Sequence, residues 1–479
     1  ALATAWAVEK PTATEPAAPV EVERAAGQAD LSPAQRAVDA EFLLAHIRHL
    51  ADDALEGRAA GSQGGRKAGD YLAAQFKRLG LEPAGATGED YFQTFTRPRR
   101  EVDPKKTKLT LTVATDGEPN ERTLELDKGF EPFGFSGSGK AAGEVVFAGY
   151  GITAPEHEYD DYANIDVKGK IVAILRYAPA EGDDDGPFSP VVRNRHAYFT
   201  QKLANARKHG AAGVILFTGS HYHPKDADEL MASRAQGAPG RKLPYVHATH
   251  SAMKRFFEAA GVDIDAVQKK IDATLSPKSF AVEGARAAMA VGFERVPVEM
   301  RNVCAMLPGG DPELKDEVVV IGAHYDHVGM RPKRAADKPG ADRVFNGADD
   351  NASGTAGVLA IAEAMTTAGY RPKRSVLFLL FDAEEIGLVG SNYFVTHPTV
   401  LREKIAAMIN LDMIGRSENR SVYVGGVGSA EGLKGLVREV NRAIDLKVRT
   451  GDSAYGPSDH MNFARRDIPV LFVNTGIHA

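Results

Sequence analysis

Four apolar runs in the C-terminal part of the chain constrain its fold most: VVVIG (318–322), SVLFLLF (375–381), AAMINLDM (406–413) and IPVLFVNTG (468–476). Each has the length of a strand, each ends in polar residues, and helix-forming segments lie between them. Strands alternating with helices argue for an α/β fold with a mostly parallel central sheet flanked by helices. In open sheets of that kind the ligand crevice lies outside the carboxyl ends of the strands. Groups just past those ends therefore meet although they are distant in sequence. Here they are His324 and Asp326, then Glu384 and Glu385, then Asp412, and finally the TGIH tail.

The rest of the chain divides by texture. Residues 129–291 carry short β-rich runs (GEVVFAGYGI, GKIVAILRY, AGVILFTG) with the helical QKLANARKHG between the last two and no convergent acidic cluster. They read as a self-contained inserted module between two parts, 31–128 and 292–479, of one flanking domain. In the first part, Ser32 and Pro33 of LSPAQ are placed as N-cap and first helical residue. A glycine-rich turn, LEGRAAGSQGG, precedes an amphipathic helix with Tyr71, Leu72, Phe76 and Leu79 on one face and a stop at Gly80. Residues 105 to 125 alternate as an antiparallel strand pair.

Bulk properties exclude several classes. A chain of 479 residues exceeds one ordinary core, and its 43% hydrophobic and 25% charged residues are those of a globular protein. A net charge of -6 and a pI near 6.2 offer no basic face for nucleic acid. The single Cys304 forbids an intrachain disulfide and a thiolate metal cluster, so any metal site must use His, Asp and Glu; Cys304 reads as a small core hydrophobe. No apolar run reaches the ~18 residues of a membrane span. The start resembles the end of a signal peptide with Ala5-Trp6-Ala7 as its cleavage site, which implies export to the periplasm or beyond. The Pro- and Ala-rich residues that follow, to about 30, read as a disordered tether.

FDAEEIGLVGS places Glu384 and Glu385 side by side after an apolar strand. Two carboxylates about 4 Å apart repel by roughly 4 kcal/mol at an effective dielectric near 20, and burial adds to the cost. Taken alone the pair reads first as a solvated loop after the strand. GAHYDHVG supplies His324, Asp326 and His327. In a zinc site His324 would bind through one ring nitrogen while a carboxylate two residues on holds the other, with His327 a neighbour rather than a ligand. Asp349 and Asp350 in NGADDNASG serve as helix caps or as a carboxylate bridging two cations. Asp412, a charge within an apolar strand, needs a partner or a metal. Together these groups are the oxygen and nitrogen set that zinc accepts, and one glutamate of the pair is then free to act as a base toward water. The chemistry implied is hydrolysis of an amide bond.

In order along the chain, LEGRAAGSQGGRKAGDYLAAQF, HYDH, GADDNASG, FDAEEIGLVGS, NLDMIGR and GPSDHMNFARRDIPVLF resemble the dizinc aminopeptidases, a family that also includes glutamate carboxypeptidase and the non-enzymatic transferrin receptor. The resemblance implies the zinc exopeptidase fold, a peptide substrate and two zinc ions. It makes His324 and Asp412 zinc ligands, Asp350 the bridge, Glu385 a ligand, Glu384 the general base and Asp326 the residue that orients His324. The inserted segment resembles the protease-associated domain. The family's last zinc histidine usually follows the TGxH segment, and this sequence stops at TGIHA. The expectation is a fragment cut at both ends that lacks this ligand, with His460 and His478 as the remaining candidates.

Two other readings stay open at this level. A carboxypeptidase would use the basic loop MRPKRAADK (330–338) to hold a substrate carboxylate, and a binding protein could use the same fold without catalysis. GGVGSAEG (425–432) lacks the third glycine of a dinucleotide-binding turn and does not argue for one.

Overall fold

The computed structural model describes residues 38–115, 118–189, 195–231, 243–331, 339–417 and 419–476. They form two compact units. The first comprises residues up to Phe95, Met300–Met330 and Val344 onward; the second comprises Thr96–Glu299 and Arg331–Arg343. Ser32, Pro33 and His478 lie outside the described residues.

The first unit begins with helix α1 (Ala40–Leu50), whose first turn is capped by Asp39 accepting from Glu41 N, and helix α2 (Gln63–Arg78), capped by Ser62 accepting from Gly65 N. The chain leaves α2 through Gly80 at φ +71, the left-handed step the sequence assigns to it. The strands are β1 (Glu82–Pro83), β2 (Phe92–Val102), β3 (Phe293–Leu307), β4 (Val318–His324), β5 (Ser375–Phe381), β6 (Ile405–Leu411), β7 (Ser421–Gly425), β8 (Lys447–Thr450) and β9 (Val470–Asn474). Helices α3 (Gly354–Thr367), α4 (Val389–Thr396), α5 (Leu433–Ile444) and α6 (His460–Ala464) alternate with them.

The sheet runs β1-β3-β5-β4-β6-β9-β7-β8, with β2 also on β3. Its centre, β5-β4-β6-β9, is parallel, and β3 and β7 join it antiparallel. Every residue of β5 is buried because the sheet is covered on both faces. The pleat sends Phe378 and Leu380 into one layer with Leu72, Phe76 and Leu359, and Leu377, Leu379 and Phe381 into the other with Phe394, Met408 and Phe463. Each of these side chains contributes about 1.5–3 kcal/mol by leaving water. Cys304 sits in the second layer as the core residue the sequence predicts. After β4 the next strand lies on one side of it and β6 on the other, so the order reverses at β4 and opens a crevice at its carboxyl end.

The second unit is built on an eight-stranded sheet in the order Glu118–Leu124, Lys108–Thr115, Ser279–Val291, Gly139–Ala148, Ile171–Leu175, Gly213–Phe217, Tyr245–Ala248 and Phe130–Pro132. Helices Phe199–Lys208, His250–Ala259 and Ile264–Thr274 belong to it. The strand pair read at 105–125 as part of the flanking domain falls here instead, because Lys108–Ala290 through Val113–Ala285 pair as one antiparallel ladder. Backbone pairing, invisible to a change of texture, sets that boundary. Among the described residues no helix is long and apolar enough to cross a membrane.

Candidate metal centre

The centre grows from the carboxyl end of β4. His324, the last residue of that strand, is buried, and its Nδ1 lies 3.1 Å from the backbone oxygen of Asp326. A carbonyl can only accept, so Nδ1 carries an N–H and Nε2 is the nitrogen turned toward Asp350 and Asp412. Nε2 lies 3.3 Å from Asp350 Oδ1 and 3.5 Å from Asp412 Oδ1. Asp412 follows β6 directly and its Oδ1 is buried without a hydrogen-bond partner among the described residues.

Asp350 is aimed by the turn that leads into α3. Gly347, at φ +60, turns the chain, and Asn351, fully buried, donates to Leu411 O (3.0 Å) and accepts from Gly354 N and Met413 N. A Cβ on Gly354 would stand 2.3 Å from Leu411 O, so glycine there lets the turn close on β6. The two aspartates of the motif separate. Asp350 enters the cluster, whereas Asp349 accepts from Gly415 N at 2.8 Å and braces the turn.

Asp326 does more than the part expected of it. Its carboxylate stands 3.7 Å from His324 Nδ1, and its oxygens accept from Glu384 N (3.0 Å) and Glu385 N (3.3 Å). The backbone carbonyl of Asp326 lies nearer to His324 Nδ1 than its carboxylate does, and the side chain also positions the glutamate pair. His327 departs from the sequence reading. Its Nδ1 lies 2.6 Å from Glu385 Oε1, and together with Asp350 these groups form a second set of ligand atoms. Two sets result, His324–Asp350–Asp412 and His327–Asp350–Glu385, and Asp350 belongs to both.

Glu384 belongs to neither set. Burial pushes its carboxyl up to about 9, against the pull of His324 and with the added repulsion of Asp459, Asp326 and Asp412. Burial alone would lower the proton affinity of His324, but Asp412, Asp326 and Asp350 outweigh it and raise that affinity well above the ordinary value. The cluster thus holds more carboxylate than cation, a buried orphan oxygen, and donors of nitrogen and oxygen only. That is the environment a pair of divalent cations of the zinc type fits.

Of the other histidines considered, His460 stacks on Phe472 with ring centroids 4.3 Å apart and belongs to neither set. Residues 332–338 of the basic loop lie outside the described residues. Asp459 carries a feature the sequence reading missed. It is fully buried, and burial pushes its carboxyl up to about 7 against the pull of His324 and of a hydrogen bond from Ser391. An acidic residue opening a short apolar helix, in GPSDHMNF, was the available signal.

Fold and site together define a doubly wound α/β domain with two candidate metal-ligand sets that share one carboxylate at the switch point of its sheet. Residues 302–478 match the model of Peptidase family M28, and residues 141–256 match that of the PA domain. It is 32% identical over 211 residues to leupeptin-inactivating enzyme 1 of Streptomyces exfoliatus, covering 43% of this chain and 41% of that protein. It is 38% identical over 130 residues to a probable leucine aminopeptidase 2 of Aspergillus oryzae (27% and 22%). The chain spans less than half the length of these curated relatives. An aminopeptidase from Aneurinibacillus sp. strain AM-1 shares the fold at TM-score 0.51 and 23% identity, over 93% of this chain and 87% of that one. The zinc aminopeptidase of Bacillus subtilis does so at 0.51 and 20%, over 92% and 85%.

Proposed function

We propose that this chain is an exported zinc-dependent aminopeptidase in which Glu384 is the general base and acid. The observation that carries this reading is the sharing of Asp350 by two His/carboxylate sets with a glutamate, Glu384, held beside them and bound into neither. His324, Asp350 and Asp412 would hold one ion, and His327, Asp350 and Glu385 the other. When bound, zinc supplies Lewis-acid charge that polarises a scissile carbonyl and acidifies the attacking water. Glu384 takes the proton of that water and delivers it to the leaving amine nitrogen. Asp326 holds Glu384 at its post through the backbone N–H. Relatives named aminopeptidase and leucine aminopeptidase support an N-terminal residue of a peptide as the substrate end. Ala5-Trp6-Ala7 supports export.

Glu384→Gln tests the base. Turnover of an aminoacyl anilide is expected to fall about 10²–10⁴-fold with zinc content unchanged; wild-type turnover would refute the assignment. N-acetylated peptides are expected to resist cleavage, and their cleavage at the rate of free-amine peptides would remove the aminopeptidase reading.

A further inference from the structure

The glycine-rich turn LEGRAAGSQGG has no part in the chemistry above, yet it contains a fully buried arginine, Arg58. Among the described residues its hydrogen bonds go to backbone carbonyls. Nε donates to Tyr325 O (2.8 Å), Nη1 to Asn346 O (2.7 Å) and to Leu50 O, and Nη2 to Gly347 O (2.9 Å). Tyr325 immediately precedes Asp326 and His327; Asn346 and Gly347 immediately precede the turn that carries Asp349 and Asp350. One rigid fork therefore clasps the loop that follows β4 to the loop that presents the shared aspartate.

The backbone of the same turn adds to the clasp. His327 N donates to Arg58 O (3.2 Å) and Gly329 N to Gly57 O (3.1 Å). Glu56, Gly57 and Arg58 all have left-handed φ (52°, 67° and 52°), and a Cβ on Gly57 would stand 2.4 Å from Gly329 O and 2.5 Å from Phe345 O. Asn346 ties back to the region before the turn through Nδ2, which donates to Ala51 O and Asp53 Oδ1, each at 2.7 Å. The charge is suited to its place. Burial pushes the guanidinium down to about 10, still charged at neutral pH, and Asp326, Asp350 and Glu385 favour the charged form.

We infer that Arg58 is a positioning residue for the metal centre: its guanidinium fork sets the distance between the His324–His327 loop and Asp350, and thereby the affinity of both ligand sets for zinc. The inference rests on the metallopeptidase reading and extends it to a residue that offers no ligand atom. A buried brace with no such role would affect folding but not zinc binding in the folded protein.

The test is Arg58→Lys, which keeps the charge and loses the fork. Zinc affinity is measured by competition with a chromophoric chelator, coordination by the visible spectrum of the cobalt-substituted protein, and folding by circular dichroism. A folded variant with zinc affinity about 10–100-fold weaker and an altered cobalt spectrum is expected. A folded variant with wild-type affinity and spectrum would overturn the inference. If Arg58→Lys does not fold, Asn346→Ala decides, since it leaves Arg58 intact and frees one side of the same clasp. Weakened zinc binding at an unchanged melting temperature supports the inference, and unchanged binding overturns it. Failure of the wild-type protein to bind zinc at all would be distinct from these outcomes, because it removes the metallopeptidase reading itself and this inference with it.

Discussion

Each unit of the molecule buries charge, and the two do so in opposite ways. In the first, Asp412 Oδ1 is buried with no hydrogen-bond partner among the described residues and meets only the ring nitrogen of His324, 3.5 Å away. In the second, the fully buried Asp161 accepts from Tyr150 N and Ile152 N (3.0 Å each) and from Tyr159 OH (2.9 Å). The equally buried Lys202 donates to Leu175 O at 3.1 Å and to Tyr150 O. Asp272 accepts from Tyr150 OH (2.7 Å) and pairs with His221 (2.8 Å). Buried polar groups are ordinarily satisfied, and an orphan asks for an explanation. A closed network of partners describes a structural core, and a set of open oxygens around a histidine describes a ligand site. The difference teaches that burial by itself does not mark function; unmet demand does.

The largest effect that could break this contrast is expected at Asp350. Asp350→Asn removes the one carboxylate common to both sets, and several kcal/mol of transition-state stabilisation go with it, on the order of a thousand-fold or more in turnover. Zinc stoichiometry is expected to fall as well. The metal-free protein should melt only slightly lower than wild type, since the substitution removes one of the carboxylates that face His324 and leaves Asp412 beside it. A large loss of stability in the metal-free form would show that Asp350 belongs to a satisfied network after all.

Lys202→Met should give the reverse pattern. Removing this buried donor costs about 1–3 kcal/mol, because Tyr150 O and Leu175 O are left without it. Chemical denaturation followed by fluorescence reads this directly, while zinc stoichiometry is expected to stay at the wild-type value. A loss of zinc in the folded variant would abolish the distinction between the two networks.

A smaller effect follows from pH. Burial lowers His247, in the second unit, to about 3, and His46, in the first, to about 4, from an ordinary value of 6.5. Each is neutral when folded and takes up a proton more readily when unfolded. Between these values and 6.5 the unfolded state binds more protons, so stability rises with pH across that window and is lost as the solution is acidified. His247→Gln is expected to flatten the dependence of stability on pH between about 3 and 6.5; an unchanged slope would count against His247 as a source of acid lability.

Much of this was legible before any coordinates. The strands β4, β5, β6 and β9 are long apolar runs, and their polar endings gave the site because a parallel sheet brings its carboxyl ends together. What the sequence hid depends on geometry within a few residues. Whether Asp326 acts through its side chain or its carbonyl, and whether His327 turns toward Glu385, is decided by irregular backbone after β4 that has no periodicity to read. Asp459 was hidden for a related reason: a lone aspartate before a five-residue helix looks like a cap until its burial is known. Arg58 was hidden more deeply, since a glycine-rich turn reads as flexible although its carbonyl-bound arginine makes it a clasp. The allocation of residues 96–128 to the second unit required pairing partners more than a hundred and fifty residues away.

The smallest expected effect is also the sharpest use of the comparison. Among the described residues, the second unit contains one more group with ligand atoms close together, Glu156, His157 and His196. By proximity alone it would rank with the two sets around Asp350. Its demand is already met, however. Arg195 donates to Glu156 Oε1 at 2.7 Å, His196 Nε2 lies 3.1 Å from the same oxygen, and the glutamate's own backbone N–H, with Arg195 and His196, holds its carboxyl down to about 2. A cation would have to displace a guanidinium from an exposed carboxylate. Glu156→Gln is therefore expected to leave zinc stoichiometry unchanged and to move stability by no more than about 1 kcal/mol, as exposed ion pairs do. Metal analysis of this variant beside Asp350→Asn would decide whether unmet demand, rather than closeness of ligand atoms, selects the metal site: a loss of bound zinc in Glu156→Gln would show that it does not.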